Sequence, residues 1–590
     1  MTCSSSTRSR PDRRPGSLLA AACLLLAGIV PAQADSGAVD RSLASARVAL
    51  VTGDGIAAQA RLREAQAAGA GEDDVRALMG EALLAQDDLA KAREWLTPAR
   101  FSPPTRALGF RMLGRLELRE RHLPEAGAAF DRALAEAPDD SRLWTDIARL
   151  RYTGGEQAQA IEAADRALRS GAGDPAALAF RALLIRNQNG LAAALPWFEA
   201  ALAKAPDDAG IRADYSATLA DMGRFAAALK EIPTVQKATP GGPRMFYYQA
   251  VIAARTGQNG LARRIIQRAK DKLRDVPGAM LLNAALELDA GNVNLAVELS
   301  DRLLRYQPDN MLAQHILAQA MGRSGDPGAV VSRFSGLANR ADASPYLLTV
   351  VARAYEETGR RREAIALLKQ AAAPPAPSLQ PLPAGADLPV LAQRYPDAPR
   401  QAADAVPYIR ALLALGQNDT AAAAALKLLG GNPGAPDAYL IAGDAELARS
   451  RLTAALPLYQ TATAVRFGES ELLRLDWTLR AGGRVRDADM LVLAYAVENP
   501  QSLIAARLLA NVRARGGQWK QSAELLDWIG ARSGWRDASL LADLAFARLR
   551  EGRADEARRV AWRAALLQPA SPSARQIARL VAAAKPSESR

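Results

Sequence analysis

Arg111, Arg115 and Arg119 recur every four residues, a spacing that places three guanidinium groups on one helical face. Each guanidinium is a planar fork of N–H donors. A row of forks can hold carboxylates, sulfates or phosphates through paired hydrogen bonds. That is binding chemistry, and the sequence offers little of any other kind. His122 and His315 are the only histidines and stand far apart, in no metal-binding spacing. Cys3 and Cys23 are the only cysteines, both close to the N-terminus, so a zinc site would need an all-carboxylate ligand set. Neither a phosphate-binding P-loop nor a G-x-S-x-G elbow occurs. The stretches "TGDG" (Thr52–Gly55) and "RSGDPG" (Arg323–Gly328) read as turns. The expectation is therefore a non-enzymatic chain with no catalytic residue, metal or cofactor. Trp144, Trp197, Phe198, Phe130 and Phe246 read as core, while Trp477, Trp528 and Trp535 read as core or as sugar-stacking platforms.

The elements that must carry these arginines follow from a repeat. A chain of 590 residues exceeds what one hydrophobic core organises, so several domains or an array are required. Aromatics make up 5% and alanine is abundant, a mixture suited to closely packed helices. "DRALAEAPDD" (Asp131–Asp140) and "EAALAKAPDD" (Glu199–Asp208) lie two periods of 34 residues apart. The frame extends without insertion through units starting at 39, 73, 107, 141, 175, 209, 243, 277, 311 and 345. Position 8 is always small (Ala46, Gly80, Gly114, Ala148, Ala182, Ser216, Ala250, Ala284, Ala318, Ala352), and position 20 is alanine except for Val330. Two helices per unit are expected, at about positions 1–14 and 15–32, with these small residues at their contact. Position 15 is often the turn glycine, as at Gly155, Gly223 and Gly257. Position 32 often carries proline, as at Pro138 and Pro206, followed by aspartates able to cap the next helix.

With Phe110, Leu113-Gly114, Ala126, Phe130, Ala133 and Pro138, the segment Ala107–Asp140 resembles a tetratricopeptide repeat. It departs at position 11, where the family prefers tyrosine and this unit has Glu117; Tyr355 restores the tyrosine in the unit starting at 345. The resemblance implies an all-α, right-handed superhelical solenoid of about fifteen helix pairs. It also implies that positions 2, 5, 9, 12 and 13 of each first helix line a concave groove. In the units starting at 107, 141 and 175 those positions include Arg111, Arg115, Arg119, Arg142, Arg149, Tyr152, Arg186 and Asn187, and no acid. These eight residues are the candidate partner site, for a protein or peptide partner of acidic character. The alternative is a generally basic, solvated surface. The set does not match the carboxylate clamp of chaperone-binding members of that family.

The rest of the chain supplies context. Residues 1–34 read as a signal peptide: Arg8, Arg10, Arg13 and Arg14, then the apolar run Ser17–Val30, then Ala32-Gln33-Ala34 at the cut. An uncleaved membrane anchor facing the periplasm and a lipoprotein cut at Cys23 are the alternatives. Cleavage leaves no cysteine and lowers the net charge from +12 to about +9. The mature chain has no apolar stretch long enough to span a bilayer, and nothing in it points to nucleic acid. Residues 35–372 form the first array and 402–571 a second array of about five units. Residues 373–401, rich in proline, form a linker or surface loop, and 572–590 a capping helix and tail. The function expected is a periplasmic or secreted scaffold that holds an extended peptide or an envelope-assembly partner. The alternative is a binding protein for an anionic polysaccharide, or an auxiliary subunit of a polysaccharide secretion or modification system.

Overall fold

The computed structural model describes residues 36–238, 243–308, 310–339, 343–372, 388–397, 399–533, 535 and 537–584. The expected leader, with Cys3, Cys23 and its Ala32-Gln33-Ala34 site, lies outside the described residues, as do residues 373–387 and the tail at 585–590. The described residues form thirty-two α-helices and no strand. Thirty of them are the fifteen expected helix pairs; the other two are Leu388–Arg394 and Pro572–Ala583. The chain divides into two compact units, residues 1–120 and 121–590. The first unit holds the helix pairs starting at 39 and 73 and the helix Arg106–Arg119. The second holds everything from Leu123–Glu136 onward, so residues on both sides of the proline-rich segment belong to it.

The small columns are the contact between paired helices. In the second unit Ala148, Ala160, Ala182, Ala194, Ala250, Ala262 and Ala296 are wholly buried. Where position 8 is Ser216, its hydroxyl donates to the carbonyl oxygen of Ala228, position 20 of the same unit, at 2.9 Å. In two units the side chain at position 24 fills the space that a Cβ at position 8 would take. A Cβ on Gly443 would lie 2.4 Å from the Tyr459 ring, and in the first unit a Cβ on Gly80 would lie 2.4 Å from Leu96. Such overlap cannot be relieved cheaply in a close-packed core.

Position 15 ends most first helices in the left-handed region; in the unit starting at 175 it is Asn189 at φ −117°, and Gly190 takes the positive φ. Gly155, Gly223, Gly257, Gly291, Gly325 and Gly359 have φ between +77° and +84°, and Gly416, Gly483, Gly517 and Gly552 repeat this in the second array. Asp87, Arg121 and Ser450 hold the same position at φ +63°, +65° and +61°, a conformation that costs a residue with a Cβ. Asp140, Asp174 and Asp208 close the units as expected, each accepting main-chain N–H groups of the following helix.

Position 11 explains its own departure. Glu287 is buried, and Arg263 Nε and Nη2 donate to its two oxygens at 3.0 and 2.9 Å. In the first unit Arg93 Nη2 donates to Glu117 at 3.0 Å. Arg93 and Arg263 both occupy position 21 of the preceding unit, so the missing tyrosine is replaced by an ion pair between units. A second buried network lies in the second array. Arg474 Nε and Nη2 each donate to Asp444 at 2.7 Å, and the Tyr459 hydroxyl donates to Asp444 Oδ1 at 2.8 Å. Burial raises the Asp444 carboxyl despite the guanidinium beside it.

Within the proline-rich stretch, Leu388–Arg394 is a short helix. Pro389 sits in its first turn, where the missing N–H has no intrahelical partner to lose. Tyr395, just beyond it, stacks on Tyr408 with ring centroids 4.3 Å apart and so fastens the segment to the helix Ala402–Ala414. Periodicity alone does not reveal so short an element.

Candidate functional site

Consecutive first helices of the second unit touch one another, as Ser141–Thr153 touches Pro175–Gln188 and Met311–Arg323 touches Pro345–Glu357. The first helices therefore form the crowded, inner side of this array, and their outward positions make its inner face. The notable feature there is an apolar cleft of 540 Å³ across four successive first helices. Its walls include Tyr247, Leu281, Leu312, His315, Gln319 and Tyr346. Every one of these falls at position 2, 5 or 9 of the frame. Of the positions 2, 5, 9, 12 and 13 expected to line a groove, 2, 5 and 9 line this cleft in the units starting at 243, 277, 311 and 345, joined by Leu282 and Ile316 at position 6. The signal was present in the sequence, since the same positions read along these units turn from arginine to leucine, tyrosine and glutamine.

His315 gives the cleft its polar point. Its Nε2 lies 2.6 Å from Ser344 Oγ, which also accepts the N–H of Leu347 as a helix cap. The imidazole rests against Tyr346 at 4.9 Å, and burial holds its pKa below the ordinary value, so the ring is neutral at neutral pH. A cleft of this size with few polar groups suits an apolar side chain better than a charged one.

The arginines behave differently from the row of open forks that their positions suggest. In the second unit, Arg149 donates to Asp146 at 3.0 Å and lies over the Phe180 ring at 5.4 Å. Arg186 donates to Thr218 at 3.1 Å and to Asp221. Asp221 also accepts from Arg255 at 3.1 Å, so one carboxylate bridges two arginines. Arg142 is the most open, more than half exposed, with Asp174 3.6 Å away. Tyr152 accepts a hydrogen bond from Asn187 Nδ2 at 2.8 Å and meets Phe180 edge-on. In the first unit, Arg111 is buried, Arg115 approaches Met112 Sδ at 3.8 Å, and Arg119 donates to Asp87 at 2.8 Å. The absence of acids from the groove positions does not mean absence of internal pairs. The acids come from neighbouring positions, which the groove columns leave out.

One arginine column has a structural task. At position 13, Arg119 donates to the carbonyl of Leu84 at 3.0 Å, Arg255 to Ala220 at 3.3 Å and Arg323 to Leu288 at 3.1 Å. Each acceptor is position 12 of the preceding first helix, one of the terminal carbonyls that no intrahelical N–H reaches. A cation at that end also meets the negative pole of the helix.

Several of the remaining candidates have structural partners. Asp54 and Asp326, in the two glycine-containing turns, accept the N–H groups of Ala57 and Ala329 as helix caps. Trp535 covers Gly530, and Arg532 stacks on Trp528 at 4.0 Å. Among the described residues no helix is long and apolar enough to cross a membrane.

Comparison with known proteins agrees with this geometry. The tetratricopeptide-repeat family model matches residues 111–175, 145–209, 218–278 and 409–469. The matched stretches are tetratricopeptide repeats, and a solenoid of that family is a protein-interaction scaffold. No curated protein matches it. Among solved structures it is similar to PilW, a type IV pilus biogenesis factor, at 20% identity and TM-score 0.32, over 36% of this chain and 98% of PilW. YrrB, described as having an unusual peptide-binding site, matches at 20% identity and TM-score 0.23, over 32% of this chain and 95% of YrrB. A repeat protein from Parabacteroides merdae matches at 16% identity and TM-score 0.30, over 39% of this chain and 92% of that one. At these scores the likenesses carry no functional argument.

Proposed function

We propose that this chain is a non-enzymatic, exported scaffold whose inner face holds an extended peptide or a segment of an envelope-assembly partner. The observation that carries the reading is the cleft: apolar and aromatic side chains at positions 2, 5 and 9 of successive first helices, around the neutral His315. In this reading the cleft takes an apolar anchor side chain. Arg142, Arg149 and Arg186, with Tyr152 and Asn187, then offer exchangeable donors for acidic groups. Arg115 and Arg119 belong to the other unit and make a separate patch of the same character, while Arg111 beside them is buried. The polysaccharide reading draws on Arg142, the most open of the set, but Arg149 and Arg186 already hold carboxylates.

The test is in-cell crosslinking with mass spectrometry to find the partner, then capture by variants. Leu281→Arg in the cleft should abolish capture with helicity unchanged. Arg142→Ala with Arg149→Ala should weaken it, and the control pair Arg132→Ala with Arg169→Ala should not. Equal losses from both arginine pairs would reduce their role to net charge, and full capture by Leu281→Arg would remove the cleft from the reading. Export is tested separately: the native protein should begin at Asp35, and a retained leader or a lipidated Cys23 would contradict that.

A further inference from the structure

Among the helices of the first array that begin without a capping side chain, two are met by the second array. The helix Gln157–Ser170 follows Glu156, whose side chain makes no cap bond, and Leu191–Lys204 follows Gly190, which has no side chain to offer. Both are completed from far along the chain. The Ala158 N–H donates to the carbonyl oxygen of Gly434 at 3.1 Å. The Ala193 N–H donates to Glu498 Oε2 at 2.9 Å, from a residue 305 positions away. Between them, the Asn187 carbonyl accepts the N–H of Phe467 at 2.9 Å, and Gln188 Nε2 donates to the Ala464 carbonyl at 2.8 Å.

Two of these contacts share one interval. Gln188 and Ala464 are 276 residues apart, and Ala158 and Gly434 are separated by the same interval. The Asn187–Phe467 interval is 280 residues, while Ala193, in the same unit as Gln188, reaches Glu498 in the following unit of the second array, 305 residues away. The seam is also shaped for contact. A Cβ on Gly434 would lie 1.7 Å from Gln159 Oε1, and one on Gly190 would lie 2.5 Å from Glu498 Cβ. Glycine on both sides lets the two backbones approach. Asn187, whose carbonyl belongs to the seam, also donates its amide to Tyr152 on the inner face.

We propose that this seam is a clasp, in which the unit joins of the second array dock on the turns of the units starting at 141 and 175 and release as one step. Each array is internally close-packed, so the seam bonds cannot part singly without bending a solenoid. They are few, and a hydrogen bond exchanged with water contributes little net, so the clasp opens well before either array unfolds.

Hydrogen exchange on the full chain tests this, together with small-angle scattering. The amides of Ala158, Ala193 and Phe467 should share one opening rate. Glu498→Lys places a cation at a helix N-terminus. It should speed all three by roughly tenfold and enlarge the radius of gyration, with the Ala262 amide, inside its own unit, unchanged. Glu498→Gln retains an acceptor and should restore slow exchange. Gly434→Val, at the other end of the seam, should speed Ala193 as Glu498→Lys speeds Ala158. Acceleration confined to the residue nearest each substitution, or unchanged dimensions, would overturn the clasp. So would equal acceleration of Ala262, since the seam would then open only with the array itself.

Discussion

Replacing Asp444 by leucine should be among the most damaging single changes in the second array. The carboxylate is buried, accepts both arms of the Arg474 fork and takes the Tyr459 hydroxyl. Arg474 is itself 14% exposed, so water cannot readily replace the lost acceptor. Removing one partner of such a pair costs about 3–5 kcal/mol, because the other charge remains buried and unpaired. Removing both is different. Asp444→Leu with Arg474→Met should lie within about 1–2 kcal/mol of the wild type, the remainder being the orphaned Tyr459 hydroxyl, and adding Tyr459→Phe should recover part of that. Urea unfolding followed by circular dichroism gives the comparison. Burial raises the Asp444 carboxyl, so folding disfavours its ionised form. That penalty stands above the folded pKa and lifts as the pH falls through it, so this residue does not drive acid unfolding. A cost for Asp444→Leu below about 1 kcal/mol, or no recovery on adding Arg474→Met, would refute the argument from an unpaired buried charge.

Ser450→Gly should stabilise the array by about 0.5–1 kcal/mol, read as a raised Tm, because Ser450 alone in its stretch carries a Cβ at φ +61°. Ala296→Leu at the wholly buried position 20 should cost about 1–3 kcal/mol by overpacking; an unchanged melt would count against the helix contact described. Arg263 and Asn292 hold the Glu287 carboxyl below its usual range against the opposing effect of burial. The stability this gives is full above the ordinary carboxylate pKa and is lost as pH falls through the depressed value, so Glu287→Gln should flatten the acid limb of a pH–stability curve. His315 has a lowered pKa, so folding favours its neutral form. Stability should fall as pH drops through about 6.5, and His315→Phe should remove that slope.

The frame was legible because packing writes itself at fixed intervals: a small residue at 8 and 20, glycine at 15, a capping aspartate at the close. Those are local demands, and Ala148, Gly155 and Asp140 answer them within one unit. Glu117 looked like a departure because its partner, Arg93, sits in the unit before and carries no mark of its own. The arginines misled for the same reason, since Asp146 and Asp221 occupy positions outside the groove columns. The apolar cleft was readable by carrying those columns on to Leu281, His315 and Tyr346. The seam was not readable, because its partners are main-chain groups and glycines that any turn could contain.

The register between Gln188 and Ala464 also bears on how such a chain can change over generations. An open solenoid gains or loses whole repeats by unequal recombination with little penalty, since each unit touches its neighbours alone. Here, excising or duplicating one unit between the two contact points would carry Gly434 and Glu498 past the helix ends they complete. The number of repeats in that interval is therefore held fixed by geometry, while repeats added beyond Pro572–Ala583 would meet no such constraint.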